Sequence, residues 1–336
     1  MTRPPIKRPD HSTWGDWGPD DQLGRLNLIG PEQVLKGVKE VREGKTFCLS
    51  LPLDLPGGTL ISPVRHPPKM KPVIRNGTEY YNYCWCQVNP DLKEVAADDS
   101  VTLYTQYSTQ WDSLAHRGAL FDPEGSGEEV PCYYNGVRAE AALGLDGDGH
   151  VKAHRLGVEH MAVHGVQGRG VLVDFHRIYG NKRHKVGYDD LMRALDDQKV
   201  VVEPGDIFCF WTGLDRLILD MKGEPEPWIK HACAVLDGRD ERLLEWIETS
   251  GVAAIGSDSI AVEAAGEPLP DDHGGHALPL HDRCLFRLGV HLGELWHLAD
   301  LAVWLSEHDR SRFLLTAPPL RLPGAVGSPV TPIATV

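Results

Sequence analysis

Glu203-Pro204-Gly205-Asp206 runs straight into Ile207-Phe208-Cys209-Phe210-Trp211, five apolar residues with no polar one among them. After a Pro-Gly turn, a run this short and this apolar reads as a buried strand. A buried strand needs cover, so the rest of the chain has to supply elements that pack on it. Pro31, whose fixed φ suits the first turn of a helix, opens one predicted over residues 31–41. Residues 46–53 alternate as a strand, and 80–88, 100–106, 171–175 and 313–315 also have strand character. Residues 239–249 read as an amphipathic helix with Leu243, Leu244 and Ile247 apolar; Gly251 ends it, and 252–256 continue as a strand. Asp258-Ser259 then falls at that strand's C-terminal edge, where α/β proteins place ligands. Alternating strands and helices predict an α/β fold.

At 336 residues and 41% apolar content, the chain can bury a substantial core as one large domain or two. Its net charge of −14 argues against nucleic-acid or anionic-membrane surfaces, both of which need dense Lys and Arg. No stretch approaches the length of a membrane-spanning helix. Residues 1–10 carry charges and three prolines but no apolar core of a secretion leader. The seven cysteines are scattered; Cys84 and Cys86 stand too close for an ordinary zinc pair and read as one face of a strand. Free thiols in a reducing cytoplasm account for them. These features predict a soluble, cytoplasmic protein whose partner is a small molecule, with no nucleic acid and no membrane.

The segment Gln106-Tyr-Ser-Thr-Gln-Trp-Asp-Ser-Leu-Ala-His116 carries the most chemistry. In an extended stretch, Gln106, Gln110, Asp112 and His116 share one face. Oxygen and imidazole groups gathered there suit a hard or borderline divalent ion and the water it activates. The same residues would equally make a polar turn beside a core tryptophan, Trp111.

The spacing resembles the His-x-Gly-Thr-His-x-Asp-x-Pro-x-His signature of the cyclase family that includes bacterial kynurenine formamidase and isatin hydrolase. Thr109, Asp112 and His116 match it, while Gln106, Ser108, Gln110 and Leu114 stand where it has His, Gly, His and Pro. Thr-Gln-Trp-Asp-Ser-Leu-Ala-His looks like the longer branch of that family, in which Gln commonly replaces the second His. The resemblance implies that Asp112 is a metal ligand and that His116 is the catalytic acid or base. Further on, His281 follows Leu278-Pro279-Leu280, and Glu294 lies in Leu292-Gly-Glu-Leu-Trp296; the family is similar here also. By that resemblance Asp112, His281 and Glu294 form one metal site for a single divalent ion, Zn or Mn. Gln106 and Gln110, poor ligands beside imidazole, would hydrogen-bond substrate or water, with Thr109 and Trp111 beside them. The tyrosines Tyr133-Tyr134 recur downstream in longer members, which implies that Tyr134, with Asn135, walls the pocket, although packing explains the tyrosines equally well and Asn135-Gly136 is turn chemistry.

Other features compete. His273, His276, His291 and His297 lie near the second cluster, and with sixteen histidines any one is more often structural. His160 and His164, at i and i+4, read as supporting or capping side chains. Asp146-Gly-Asp148-Gly lacks the later glutamate of a calcium loop. Gly165-Val-Gln-Gly168-Arg-Gly170 leads into a strand where a dinucleotide loop needs a helix.

The fold implied is the swivelling β/β/α type, a mixed sheet curled toward a barrel with helices packed outside. The expected organisation is an arm, helix and loop extension over 1–75, a catalytic domain over 76–316 and a docking tail over 317–336. In the first of these, Trp14 to Gly24 reads as an irregular lid or packing arm held by aromatic burial. The function expected is metal-dependent hydrolysis of a C–N bond in a cyclic amide or N-acyl compound. The rivals are a lactone hydrolase, a metal-free lyase, dehydratase or cyclase using Asp112 and His116, and a binding protein without turnover. Family members are usually oligomers, which implies a homo-oligomer.

Overall fold

The run at 207–211 is a strand with every residue buried, and its two faces enter different cores. Phe208 and Phe210 point one way, into a cluster with Leu191, Leu243 and Ile247; Ile207, Cys209 and Trp211 point the other way, among Leu301, Trp304 and Phe313. An all-apolar strand is what a sheet covered on both faces requires. This computed structural model describes residues 6–266, 268–269 and 275–336; the first five residues and His273 lie outside that range.

Nine strands make the sheet: β1 (Thr46–Cys48), β2 (Gln110–Asp112), β3 (Gln167–Asp174), β4 (Ile207–Trp211), β5 (Ala254–Ser257), β6 (His291–Glu294), β7 (Arg312–Thr316), β8 (Gly327–Pro329) and β9 (Ile333–Thr335). They lie in the order β1-β9-β7-β3-β4-β5-β6-β2-β8. The four central strands, β3 to β6, run parallel, and every outer pairing is antiparallel. The sheet curls as a half-barrel with helices outside, the α/β architecture expected. Four helices matter here: α1 (Pro31–Val38), α2 (Tyr188–Asp197), α3 (Glu241–Ser250) and α4 (Ala299–Glu307). α2 and α3 cover one face, α4 the other. α3 is capped as its sequence dictates: Asp240 accepts from the N–H groups of Arg242 and Leu243, and Gly251 closes it at φ 72°.

The edges depart from expectation. The strand predicted over 46–53 stops at Cys48, and the helix predicted to residue 41 stops at Val38. Of 80–88 only Tyr83–Cys84 is strand, followed by a 3-10 turn, Trp85–Gln87. Of 100–106 only the start belongs to a strand, Asp99–Thr102, which pairs with Lys69–Pro72 as an exposed hairpin. The paired Lys69–Pro72 and Asp99–Thr102 lack a core to lie on, so alternation does not extend them. Cys84 and Cys86 form a disulfide, contrary to the expectation of free thiols. The 3-10 turn brings their Cα atoms to 5.1 Å, within bridging range. The other five cysteines are free, and all but Cys48 are buried. Trp14 anchors the N-terminal arm, buried edge-on against Phe121 and Phe286 with its indole N–H donating to Phe286 O. No described helix is long and apolar enough to cross a membrane.

Candidate metal centre

The site is built on the pairing of β2 with β6. Gln110 lies opposite Glu294, Trp111 opposite Gly293, and Asp112 opposite Leu292. Residues directly opposite share a face, so Gln110, Asp112 and Glu294 point together while Trp111 goes to the other side. There Trp111 packs edge-on to Trp296 at 4.9 Å and donates to Ala317 O. Trp296 lies over Gly293, where an added β-carbon would come within 2.8 Å of the indole. Leu295, at φ 55°, turns the chain so that Trp296 folds back and donates to Gln110 O.

His281 arrives from a different element, the short helical turn Pro279–His281. Glu263 holds it in place. One carboxylate oxygen accepts the His281 backbone N–H and faces the ring Nδ1, both at 2.8 Å; the other accepts the Leu280 N–H at 3.0 Å. The ring Nε2 is thereby aimed at Glu294 Oε1, 3.4 Å away. Asp112, His281 and Glu294 offer donor atoms that all lie within 4.8 Å of one another, deep in the protein.

His116 joins through a turn and not through a strand. Ser113 Oγ accepts the Ala115 N–H and the Ser113 carbonyl accepts the His116 N–H, which bends the chain back over β2. The His116 Nε2 then stands 3.7 Å from Asp112 Oδ2. Gln106 also lies outside the strand, yet its amide reaches within 3.5 Å of His116 Nδ1. The single extended face expected from Gln106 to His116 is therefore corrected: only Gln110 and Asp112 are on it, and turns deliver the other two. Gln110 Nε2 donates to Glu294 Oε2 at 2.8 Å and lies 3.4 Å from Asp112 Oδ1.

Four other candidates have structural jobs. Thr109 accepts from the Leu51 N–H and donates to Leu295 O, pinning β2 to the chain beyond β6. Trp111 is core. Tyr134 is fully buried, its hydroxyl against Thr13. Asn135 accepts from the Gly15 N–H and donates to Gly18 O and Asp21 O. The side-chain polar atoms of both Tyr134 and Asn135 are thus engaged by the N-terminal arm. His291 lies between the Asp112 and Leu23 carbonyls, and His297 pairs with Asp215. Asp146, Asp148 and His150 cluster too, but in an exposed turn that Asp146 closes on itself. Sequence reasoning missed Glu263, whose signal is a lone carboxylate in the run Ile260-Ala-Val-Glu-Ala-Ala265.

The electrostatics are those of a site that wants a cation. Asp112 Oδ2 and Glu294 Oε1 are buried and accept no hydrogen bond, as is Gln110 Oε1. Orphaned buried acceptors of this kind cost free energy unless something positive faces them. Burial, followed by the Asp112 charge, pushes the Glu294 carboxyl up to about 7. Burial works against charge on His281, but Glu263 and Glu294 outweigh it and lift the imidazole to about 9. Burial lowers the His116 pKa despite the pull of Asp112. One imidazole and two carboxylates, with their free oxygens turned inward, fit a zinc- or manganese-type ion.

The comparisons agree with this architecture. No curated protein matches the chain. A crystal structure described as a novel cyclase is 32% identical, covers 97% of this chain and 99% of its own, and superposes with a TM-score of 0.74. The isatin hydrolase A of Ralstonia solanacearum shares 14% identity over 86% of this chain and 91% of its own, with a TM-score of 0.52. An isatin hydrolase bound to the product analogue thioisatinate shares 14% over 92% and 99%, at 0.55. At such identities the last two speak for the fold alone. The sequence model of the family described as "Putative cyclase" matches residues 49–264, which hold β2, the strand carrying Asp112, and Glu263, the clamp on His281. On the profile, on the 32% relative and on the fold, the chain belongs to the cyclase family.

Proposed function

We propose that the protein is a metal-dependent hydrolase that cleaves a C–N bond in a cyclic amide or N-acyl small molecule. The observation that carries this reading is the pair of buried carboxylate oxygens, on Asp112 and Glu294, that accept no hydrogen bond beside His281 Nε2. Asp112, His281 and Glu294 would hold one divalent ion, zinc or manganese, which when bound polarises a carbonyl and acidifies water. His116, kept neutral by burial at physiological pH, accepts the proton of the attacking water. As the C–N bond breaks, the same ring returns that proton to the leaving nitrogen, so atoms and charge balance. Asp112 Oδ2 faces the ring and stabilises it while it carries the proton. Gln110, committed to both carboxylates through its NH2, keeps its oxygen to accept from a substrate N–H or from water. A net charge of −14 supports a small-molecule partner over nucleic acid or membrane.

The test is elemental analysis of untagged protein together with turnover. About one zinc or manganese per chain, with amide hydrolysis lost on chelation and restored by the ion, is the expected result. Metal-free protein that still turns over substrate sinks the reading in favour of acid–base lyase chemistry by Asp112 and His116.

A further inference from the structure

Arg65 lies on the long Pro- and Gly-rich loop, partly buried, with its Nη1 donating to Gln106 O at 2.7 Å. Gln106 is the residue whose side chain touches His116, so the guanidinium stands one residue from the acid–base ring. Its charge acts on both the His116 imidazole and the Glu294 carboxyl. Arg65 lines a small recess with Gly57, Gly58, Ile61, Gln106 and Leu295, the last being the residue after Glu294. Ile61 and Ile260 line both this recess and a neighbouring cavity of about 170 Å³.

The loop is held firmly enough to present this side chain. Tyr107 donates its hydroxyl proton to Gly58 O, and Gly57 sits so close to the Gly223 carbonyl that a β-carbon would collide with it. Arg169 and Arg283, by contrast, are closed off by carboxylates: Asp206 and Glu203 for the first, Glu241 and Glu248 for the second. Among the described residues no carboxylate oxygen comes within 4.0 Å of the Arg65 guanidinium. A partly desolvated cation left without a counter-charge is unfavourable unless a ligand supplies one, and a guanidinium matches a carboxylate in shape as well as charge.

We propose that Arg65 is a specificity-determining residue that binds a carboxylate carried by the substrate close to the C–N bond that is cut. The substrate class is then an N-acyl amino acid or a cyclic amide bearing a free carboxylate. This rests on the amide-hydrolase reading above. Arg117 is the competing cation: it follows His116 in sequence and its charge also reaches that ring, but its side chain is exposed.

Metal-loaded protein is assayed with N-formylphenylalanine and with its carboxamide, which differ in one charge. The wild type should prefer the acid, and in Arg65→Met the ratio of kcat/KM values, acid over carboxamide, should fall roughly 10- to 100-fold. Arg65→Lys should restore part of it, and Arg117→Met should leave the ratio alone. Equal losses on both substrates would mean that Arg65 serves charge developing at the reacting carbonyl, and would overturn the proposal. So would loss of the preference in Arg117→Met, or a wild type without one. Binding of benzoate against benzamide, followed by calorimetry, keeps this separate from the hydrolase reading. Tighter benzoate binding that Arg65→Met abolishes supports the anion site even if neither formyl compound turns over. Benzoate bound no tighter than benzamide, or unaffected by Arg65→Met, overturns it.

Discussion

His116 and Glu263 show how single side chains set the chemistry of this site. At neutral pH the His116 ring is uncharged, because burial disfavours the imidazolium more than Asp112 favours it. Replacing it with alanine should lower kcat/KM by about 10²- to 10⁴-fold while metal content stays the same, which kinetics and elemental analysis on one preparation will show. Glu263→Gln should act differently. Its two oxygens accept from two backbone N–H groups and face the His281 ring, so an amide NH2 must confront at least one donor. Metal affinity should fall roughly 10- to 100-fold, measured by competition with a chelator, with the fold retained. The sequence pointed to Asp112, His281 and Glu294 through family likeness, and the structure brings the three together. It did not point to Glu263 or Arg65, because a buried carboxylate and a loop arginine declare their partners only once distant segments meet.

Elements carry the precision. Gly293 in β6 and Gly256 in β5 together make the flat bed on which the Trp296 indole lies. Gly293→Ala should therefore destabilise the protein by about 1–3 kcal/mol through overpacking, read as a lower midpoint in chemical denaturation. The Asp215–His297 pair ties the start of α4 to the short helix Leu214–Asp220 that follows β4, with Asp215 also accepting the Ala299 N–H. Asp215 raises the His297 pKa above its ordinary value. A raised histidine pKa stabilises fully below the unfolded value of about 6.5, and that contribution disappears as pH climbs through the folded value. His297→Asn should thus cost more stability at about pH 5.5 than at about pH 9, which thermal melts at the two values will test. Strand β4 was legible to the residue because both its faces are buried. The hairpins of 69–102 were not, because Met70, Ile74, Val95 and Val101 sit exposed, with no burial to enforce an alternating pattern.

At the level of the whole molecule, the tail expected to dock on the body is part of the central sheet. β8 pairs with β2, and β9 lies between β1 and β7. Removing residues 326–336 should expose β2 along one edge, leave β1 without a partner and leave β7 paired only with β3. The expected outcome is insoluble or metal-free protein, seen by fractionation and elemental analysis. Self-association is a further expectation that light scattering will check; the apolar side chains of the exposed hairpins are where it would fall. Strand β2 has as neighbours β6 and β8, both encoded near the far end of the chain. During synthesis the segment bearing Asp112 therefore emerges well before both of its neighbours and waits with neither flank in place. A nascent chain cannot assemble the Asp112, His281 and Glu294 cluster piecemeal; it closes only once β6 and β8 have followed β2.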